Sequence, residues 1–221
     1  KNFDQRHYPV VSAREGYGEW ASSYEDSVPD LLDIKALNQL KSVDWQASRR
    51  CLDLACGTGR TGEWLATQGV NHIDGLDITP EMLEIAKSKK IYRELNLGSV
   101  EQTGLPESQY DLMSMCLVDE HIADLTPVYR EAQRLACPQA KLVVVGMHPF
   151  FFMRGMPTHY DDKNGASKAI ETHIHLFSHH FNAAQSAQWT LRECYEGVID
   201  DEWIKIKPKW VHSLDCPIHY A

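Results

Sequence analysis

From residue 50 onward, short apolar runs alternate with segments of helical periodicity, and no other feature of the sequence restricts the fold as strongly. The predicted strands are 51–55, 72–77, 91–97, 110–117 and 141–147. Helices are predicted between them at 61–68, 80–89 and 125–136. Such βαβ units assemble into a parallel sheet covered by helices on both faces. The sequence therefore predicts an α/β fold with a doubly wound, Rossmann-like sheet.

The segments that flank this alternation are predicted to cover the sheet. Residues 1–45 are expected to form a helical N-terminal cap, because Tyr17, Trp20 and Tyr24 recur on one helical face. Residues 46–221 are expected to form the main domain, with a lid insertion at about 149–177 after the fifth strand. The remaining predicted elements are a strand at 168–177, a helix at 178–188, a strand at 190–199 and a short strand near 217–220. One edge strand of the otherwise parallel sheet is expected to be antiparallel.

Charge and cysteine content narrow the choice of partners. The chain has 22 Lys and Arg against 31 Asp and Glu, a net charge of −9, so it repels nucleic acid and anionic membranes. No apolar run approaches the roughly 18 residues of a membrane span. The six cysteines show no CxxC spacing, which is typical of a reduced protein. We therefore expect a cytoplasmic monomer or homodimer that acts on a small molecule, without nucleic acid or membrane partners.

The first apolar run leads into the glycine-rich turn Gly57-Thr58-Gly59-Arg60-Thr61-Gly62. This turn matches the dinucleotide fingerprint GxGxxG, and Asp77 follows Gly57 by 20 residues. Asp53, however, ends the same strand, and a carboxylate beside a pyrophosphate costs several kcal/mol at about 4 Å. The same carboxylate attracts the ammonium and sulfonium of S-adenosylmethionine. S-adenosylmethionine is thus the favoured ligand, and an NAD(P)-dependent oxidoreductase and a non-catalytic nucleoside-binding module are the alternatives.

These motifs resemble those of the class I S-adenosylmethionine-dependent methyltransferases, in particular the ubiquinone-biosynthesis-like small-molecule branch. Residues 53–59 are similar to the first motif of that family, with Ala55 where a glycine is usual. Residues 75–86 are similar to the second motif, and 100–106 to the stretch that contacts the adenine. Residues 110–122 resemble the fourth strand and its exit loop. The resemblance covers about residues 50–147 and implies transfer of a methyl group to oxygen, nitrogen or carbon of a small metabolite.

The resemblance also implies which residues bind S-adenosylmethionine. Asp53 is expected to hold the methionine ammonium, Asp77 to accept hydrogen bonds from the ribose hydroxyls, and Glu101 to accept one from the adenine amine. Gly57 and Gly59 are expected to pass beneath the ligand. The other residues expected at the cofactor are Ala55, Ile78 and Cys116.

Catalysis is expected at the exit of the fourth strand and in the two covering segments. A base is often needed to take a proton from the acceptor, and the candidates are Asp119, His121, His148 and His173. Aromatic side chains of the cap and lid are candidates for binding the acceptor: Tyr17, Trp20, Tyr24, Phe151, Tyr160 and Trp210. His173 and His175 share one face of a predicted strand, but no Cys or carboxylate lies at ligand spacing. No metal is therefore predicted.

Overall fold

Ten strands carry the fold within residues 3–28 and 31–221, the part of the chain that the computed structural model describes. They are β1 (Val10–Val11), β2 (Cys51–Leu54), β3 (Ile73–Asp77), β4 (Tyr92–Leu97), β5 (Tyr110–Cys116), β6 (Ala136–Met147), β7 (His159–Asp161), β8 (Ser167–Ile170), β9 (Glu196–Val198) and β10 (Pro217–Tyr220). Seven strands form the main sheet, in the order β4-β3-β2-β5-β6-β10-β9. Strands β2 to β6 pair in parallel, whereas β10 is antiparallel to both neighbours. The predicted doubly wound, mostly parallel sheet with an antiparallel edge is confirmed, with the short β9 lying outside β10.

Nine α-helices lie in the same described ranges: α1 (Ala13–Trp20), α2 (Tyr24–Ser27), α3 (Leu32–Leu37), α4 (Arg60–Thr67), α5 (Pro80–Ser88), α6 (Leu125–Leu135), α7 (Pro149–Met153), α8 (Phe177–Ser186) and α9 (Asp201–Ile206). Side chains of β2 alternate between the two faces of the sheet. Leu52 and Leu54 pack with α6 and α8, and Cys51 packs with α3 and α4 on the opposite face. Within these residues, no helix combines the length and apolar character that crossing a membrane requires.

The winding direction of the chain reverses between β2 and β5. From β2 the chain adds β3 and β4 on one side, and it then crosses to β5 and β6 on the other side. In open α/β sheets, ligands bind at such a reversal, outside the carboxyl ends of the strands. The topology alone therefore places a ligand site above Ala55, Asp77 and Cys116, at or just beyond the ends of β2, β3 and β5.

A second, three-stranded sheet joins the N-terminal segment to the predicted lid insertion. Its order is β1-β8-β7, and Val10 of β1 pairs in parallel with Ala169 of β8. Next to it, the ring of Trp20 stacks on Tyr160 at a centroid distance of 5.5 Å. The cap and the insertion, which the sequence suggests as separate covers, are therefore in direct contact.

The predictions outside the central sheet were less accurate. The helical segment that carries Tyr17, Trp20 and Tyr24 is divided into α1, a 3₁₀ turn at 21–23 and α2. The strand expected over 168–177 ends at Ile170. Beyond it the backbone bonds to the loop after β5 instead, where the His173 N–H donates to the Glu120 carbonyl at 2.6 Å. The strand expected over 190–199 is limited to β9, and in the segment before it the Glu193 side chain accepts hydrogen bonds from the N–H groups of Lys41 and Ser42.

Candidate functional site

A cleft opens at the carboxyl ends of β2, β3 and β5. Its walls come from the loops that follow these strands and from the N-terminal cap. The residues that line it are Ala13, Tyr17, Tyr24, Asp33, Ala55, Cys56, Gly57, Thr58, Arg60, Thr61, Asp77, Ile78, Thr79, Met82, Cys116, Leu117, Val118 and His121. Because neighbouring strands lie about 4.8 Å apart, the three strand ends give the cleft a floor of about 10 Å. It is the site that the topology predicts.

The glycine turn forms the middle of this floor. Gly59 is the N-cap of α4 and has φ +89°, a left-handed conformation that glycine adopts without strain. Ala55 also has a positive φ, 56°, although a Cβ disfavours it. Gly62, the last glycine of the fingerprint, lies against Tyr92, and a Cβ there would clash with the phenol hydroxyl. The third glycine of GxGxxG thus permits close packing of α4 against β4.

Asp77 projects into the cleft from the end of β3. Its two carboxylate oxygens accept hydrogen bonds from the N–H groups of Gly57 and Thr79, both at 2.8 Å. Burial raises the pKa of Asp77, and these N–H groups partly oppose the shift. Each carboxylate oxygen has two lone pairs, so Asp77 keeps the capacity to accept further hydrogen bonds from a ligand. Ile78 lies beside it, with 46% of its surface exposed.

Asp53 lies behind the turn rather than in the cleft. It is 1% exposed and accepts hydrogen bonds from the hydroxyls of Tyr92 at 2.7 Å and Ser114 at 2.8 Å. Burial raises the pKa of Asp53 to about 6, although both hydroxyls oppose the shift. The alternation along β2 turns this side chain toward the α4 face of the sheet.

The N-terminal cap contributes an ion pair that the sequence analysis missed. Asp33 of α3 is 3% exposed, and its Oδ1 lies 3.0 Å from a guanidinium nitrogen of Arg60. The hydroxyl of Thr61 also approaches Asp33, at 3.3 Å. The signal in the sequence was a charged residue within the apolar stripe of α3, where Leu32, Ala36 and Leu37 are buried. Both Asp33 and Arg60 line the cleft.

His121 is the one proposed base that lines the cleft. Its Nδ1 lies 2.8 Å from the carbonyl oxygen of Glu171, which can only accept, so Nδ1 carries the proton of the neutral ring. Nε2 is then the acceptor for the hydroxyl of Tyr17 at 3.0 Å. Burial lowers the pKa of His121 to about 4 and raises that of Tyr17 well above its ordinary value. The ring is therefore neutral at pH 7, with its lone pair toward Tyr17.

The other proposed bases lie outside the cleft. His148 caps α7: its Nδ1 accepts from the Phe150 N–H, and its Nε2 lies 2.8 Å from Glu196. His173 lies in a separate surface groove beside α8. Asp119 is 4% exposed and accepts a hydrogen bond from the hydroxyl of Tyr220 at 2.8 Å. Among the described residues, no group of three or more His, Cys, Asp or Glu side chains is arranged to hold a metal.

The remaining predicted contacts divide into three places. Tyr17 and Tyr24 line the cleft with Cys116, whereas Glu101 is exposed in the loop after β4 and is absent from the described lining. Trp20 and Tyr160 stack between the cap and the insertion. Phe151 and Trp210 pack with Trp203 in a separate apolar cluster. The structure thus brings together only part of the predicted acceptor site.

Comparison with known proteins extends these observations. Residues 52–144 match the family described as a methyltransferase domain. The chain is 30% identical over 143 residues to the ubiquinone biosynthesis O-methyltransferase of Erwinia tasmaniensis, an alignment that covers 59% of this chain and 55% of that protein. It is 29% identical over 113 residues to the demethylmenaquinone methyltransferase of Oceanobacillus iheyensis, covering 48% of each. The chain thus spans about half the length of these curated relatives.

Solved structures share the fold over most of the chain. An S-adenosylmethionine-dependent methyltransferase from Mesorhizobium loti has a TM-score of 0.69 at 19% identity, covering 87% of this chain and 96% of that one. The complex of DhpI with SAH has a TM-score of 0.64 at 16% identity, covering 92% and 91%.

The sheet order, with a cleft at its reversal point, defines a Rossmann-like fold that these solved structures share. The match of residues 52–144 to a methyltransferase domain supports a class I S-adenosylmethionine-dependent methyltransferase. The cofactor of this class is S-adenosylmethionine rather than a nicotinamide dinucleotide, as the position of Asp53 in the sequence led us to expect.

Proposed function

We propose that this protein transfers the methyl group of S-adenosylmethionine to a phenolic, quinone-type small molecule. The observation that carries the proposal is that one cleft holds the glycine turn, Asp77 and the neutral ring of His121. The first two features suit the cofactor, and the third suits an acceptor that must lose a proton. The relatives whose names mention ubiquinone and demethylmenaquinone support a quinone-type acceptor.

The adenosine part of the cofactor would lie at the β3 side of the cleft. Asp77 accepts from two backbone N–H groups and has lone pairs left for the ribose hydroxyls. The exposed side chain of Ile78 offers an apolar surface for the adenine ring. Ala55, Gly57 and Gly59 would pass beneath the ligand, because their turn brings the main chain to the floor of the cleft. Glu101 lies outside the lining, so we assign it no contact.

The methionine part would lie at the β5 side, near Cys116. This part carries an ammonium and a carboxylate, and the paired side chains of Asp33 and Arg60 present the complementary charges. Asp53, which lies behind the turn, would act on the cationic cofactor through the field of its charge when it is ionised. The direct contact that the sequence suggests for Asp53 is therefore assigned to Asp33.

The acceptor would lie between the cofactor and the cap. Tyr17 and Tyr24 supply an aromatic wall there. A phenol is a much better methyl acceptor once its proton is removed, and a histidine close to the acceptor suits this task. We assign it to His121, because His148 and His173 lie elsewhere. In the transfer the acceptor oxygen or carbon bonds to the methyl group while the bond from sulfur to that methyl breaks.

The test is a methyl-transfer assay with S-adenosylmethionine and a panel of catechols, hydroquinones, reduced naphthoquinones and amines. The expected result is S-adenosylhomocysteine formation with phenolic members of the panel. Asp77→Ala and His121→Asn are expected to lower the rate at least about tenfold. The matched control is Glu107→Gln, an exposed carboxylate outside the cleft, which is expected to keep the parent rate.

Two outcomes would contradict the proposal. Turnover of amines alone would place the acceptor in another chemical class. Binding of S-adenosylhomocysteine without turnover of any acceptor in the panel would favour a nucleoside-binding module on the same fold. Calorimetry with S-adenosylhomocysteine, NADH and NADPH separates these results from a dinucleotide site.

A further inference from the structure

We propose that Glu120 is a positioning residue for His121, and that its ionised carboxylate stabilises the proton which the Tyr17–His121 pair takes from the acceptor. No motif in the sequence assigns a role to Glu120. Its catalytic consequence rests on the proposed methyl transfer, whereas its coupling to His121 does not.

The geometry joins Glu120 closely to the pair. Glu120 and His121 lie in one 3₁₀ turn after β5, and Glu120 is only 2% exposed. Its Oε1 lies 3.8 Å from Nε2 of His121 and 3.5 Å from the hydroxyl of Thr158. Its carboxyl group also hydrogen-bonds to the side chain of Asp119, and this bond raises the pKa of Glu120. Burying two neighbouring carboxyl groups is costly, so packing alone does not account for this residue.

The tautomer of His121 determines where a proton arrives. Because Nδ1 donates to the Glu171 carbonyl, a second proton can be added only at Nε2, the atom that faces Tyr17 and Glu120. The acceptor proton would reach it through the hydroxyl of Tyr17, which passes its own proton to Nε2. The step balances, since the proton leaves the acceptor as the methyl group joins it and the electron pair of the broken bond stays on sulfur.

Burial separates the protonation states of the two groups. It lowers the pKa of His121 to about 4, and it raises the pKa of Glu120 to about 8 with help from the negative charge of Asp119. Below pH 8 Glu120 is mostly neutral, and the charge of the buried Asp119 acts on His121 without that of Glu120. Above pH 8 the carboxylate lies 3.8 Å from Nε2 and favours the protonated ring.

Other titratable groups also face this pair. Across the cleft, Arg60, Tyr24 and Asp77 act on Tyr17. From the insertion, Glu171 and His173 act on His121.

Asp119, which raises the pKa of Glu120, lies at the end of a directed hydrogen-bond chain. The hydroxyl of Tyr220 donates to Asp119, so its oxygen accepts from Nε2 of His180, and Nδ1 of His180 lies 3.0 Å from the hydroxyl of Tyr129.

The first test is an NMR pH titration of the full chain with ¹⁵N-labelled histidine, with the His121 signals assigned through His121→Asn. The expected result is a change in the Nε2 resonance with a midpoint near pH 8 that is lost in Glu120→Gln. Asp119→Asn is expected to move the midpoint to lower pH, because it removes a negative neighbour. Thr158→Val is expected to move it upward, because it removes a donor to the carboxylate. Glu107→Gln, which changes an exposed carboxylate outside the cleft, serves as the matched control and leaves the midpoint in place.

The second test is the pH profile of kcat/KM with a phenolic acceptor from the panel. The parent rate is expected to rise through about pH 8, and Glu120→Gln is expected to give a flat profile at least about tenfold lower at pH 9. If Glu120→Gln does not fold, the opposite shifts in Asp119→Asn and Thr158→Val decide the question. If the His121 resonance titrates with Glu120 but no acceptor is methylated, the proposed methyl transfer is refuted and the coupling of Glu120 to His121 stands. The inference would be overturned if Glu120→Gln kept the pH profile of the parent. It would also be overturned if the His121 Nε2 resonance changed with the same midpoint in Glu120→Gln as in the parent.

Discussion

The substitution Asp53→Asn is expected to stabilise the fold at neutral pH. Asp53 is buried, and the charges of Asp33 and Asp77 add to the effect of burial, so its pKa is about 6 in the folded chain against an ordinary 3.8. Asparagine has nearly the same shape, and its amide can accept a hydrogen bond from one neighbouring hydroxyl and donate one to the other. Those hydroxyls belong to Tyr92 and Ser114.

The size and pH range of the effect follow from the linkage between protonation and folding. Between pH 3.8 and about 6, the folded state binds more protons at Asp53 than the unfolded state does, so stability falls as pH rises. The cost is complete above pH 6 and reaches about 3 kcal/mol, at 1.36 kcal/mol per pKa unit. For a chain of this length, that corresponds to a melting temperature about 6–12 °C higher in the variant.

Urea denaturation of the parent and Asp53→Asn between pH 4 and 8.5 measures the difference. The two free energies of unfolding are expected to agree near pH 4 and to diverge through pH 6. Asp111→Asn is a matched control of opposite sign. Burial acts to raise the pKa of Asp111, but hydrogen bonds from Arg49, Arg50 and Ser48 outweigh it and lower the pKa. This control should destabilise the chain at neutral pH and lose its effect as pH falls through the pKa of the folded state.

A difference for Asp53→Asn that does not vary with pH would refute the reasoning, as would a loss of stability at pH 7.5. Calorimetry on the same variant tests the cofactor side. If the charge of Asp53 acts on the sulfonium, the variant binds S-adenosylmethionine more weakly while S-adenosylhomocysteine is less affected. Gain in stability with loss of affinity would show that the buried carboxylate is kept for binding.

Three further predictions concern the cleft and its cover. Asp77→Ala should weaken both cofactor forms by about 1.5–3 kcal/mol in calorimetry, the range for a hydrogen bond to a charged group, and an unchanged binding constant would contradict our placement of the ribose. Ala55→Gly should raise the free energy of unfolding by about 1 kcal/mol in urea, because it relieves a left-handed φ, and a loss of stability would show that the turn is unstrained. Deletion of residues 1–27 should abolish turnover while circular dichroism still reports the folded sheet, because Tyr17 and Tyr24 leave the cleft with it. Full activity of the truncated chain would show that the cap does not contribute to the acceptor site.

Local patterns in the sequence were enough to predict the central sheet and the glycine turn at the floor of the cleft. Strand periodicity and the glycine turn depend on neighbouring residues, so β2 to β6 and the position of Asp77 follow from residues close in the chain. Strand alternation also indicates that Asp53 and Leu54 face opposite sides of the sheet. It does not indicate that Asp53 lies beneath the turn, because its partners Tyr92 and Ser114 are 39 and 61 residues away.

The reactive side of the cleft depends on contacts between distant segments, and only the tertiary structure decides it. Tyr17 and His121 are 104 residues apart, and the carbonyl that fixes the His121 tautomer lies another 50 residues on. The burial that separates the pKa values of His121 and Glu120 is likewise a property of the packed chain. The sheet, the turn and the class of cofactor are therefore predictable from local residues. Only the folded structure distinguishes His121 from the other candidate histidines. The tautomer and the pKa of a side chain depend on neighbours that the chain brings together in three dimensions.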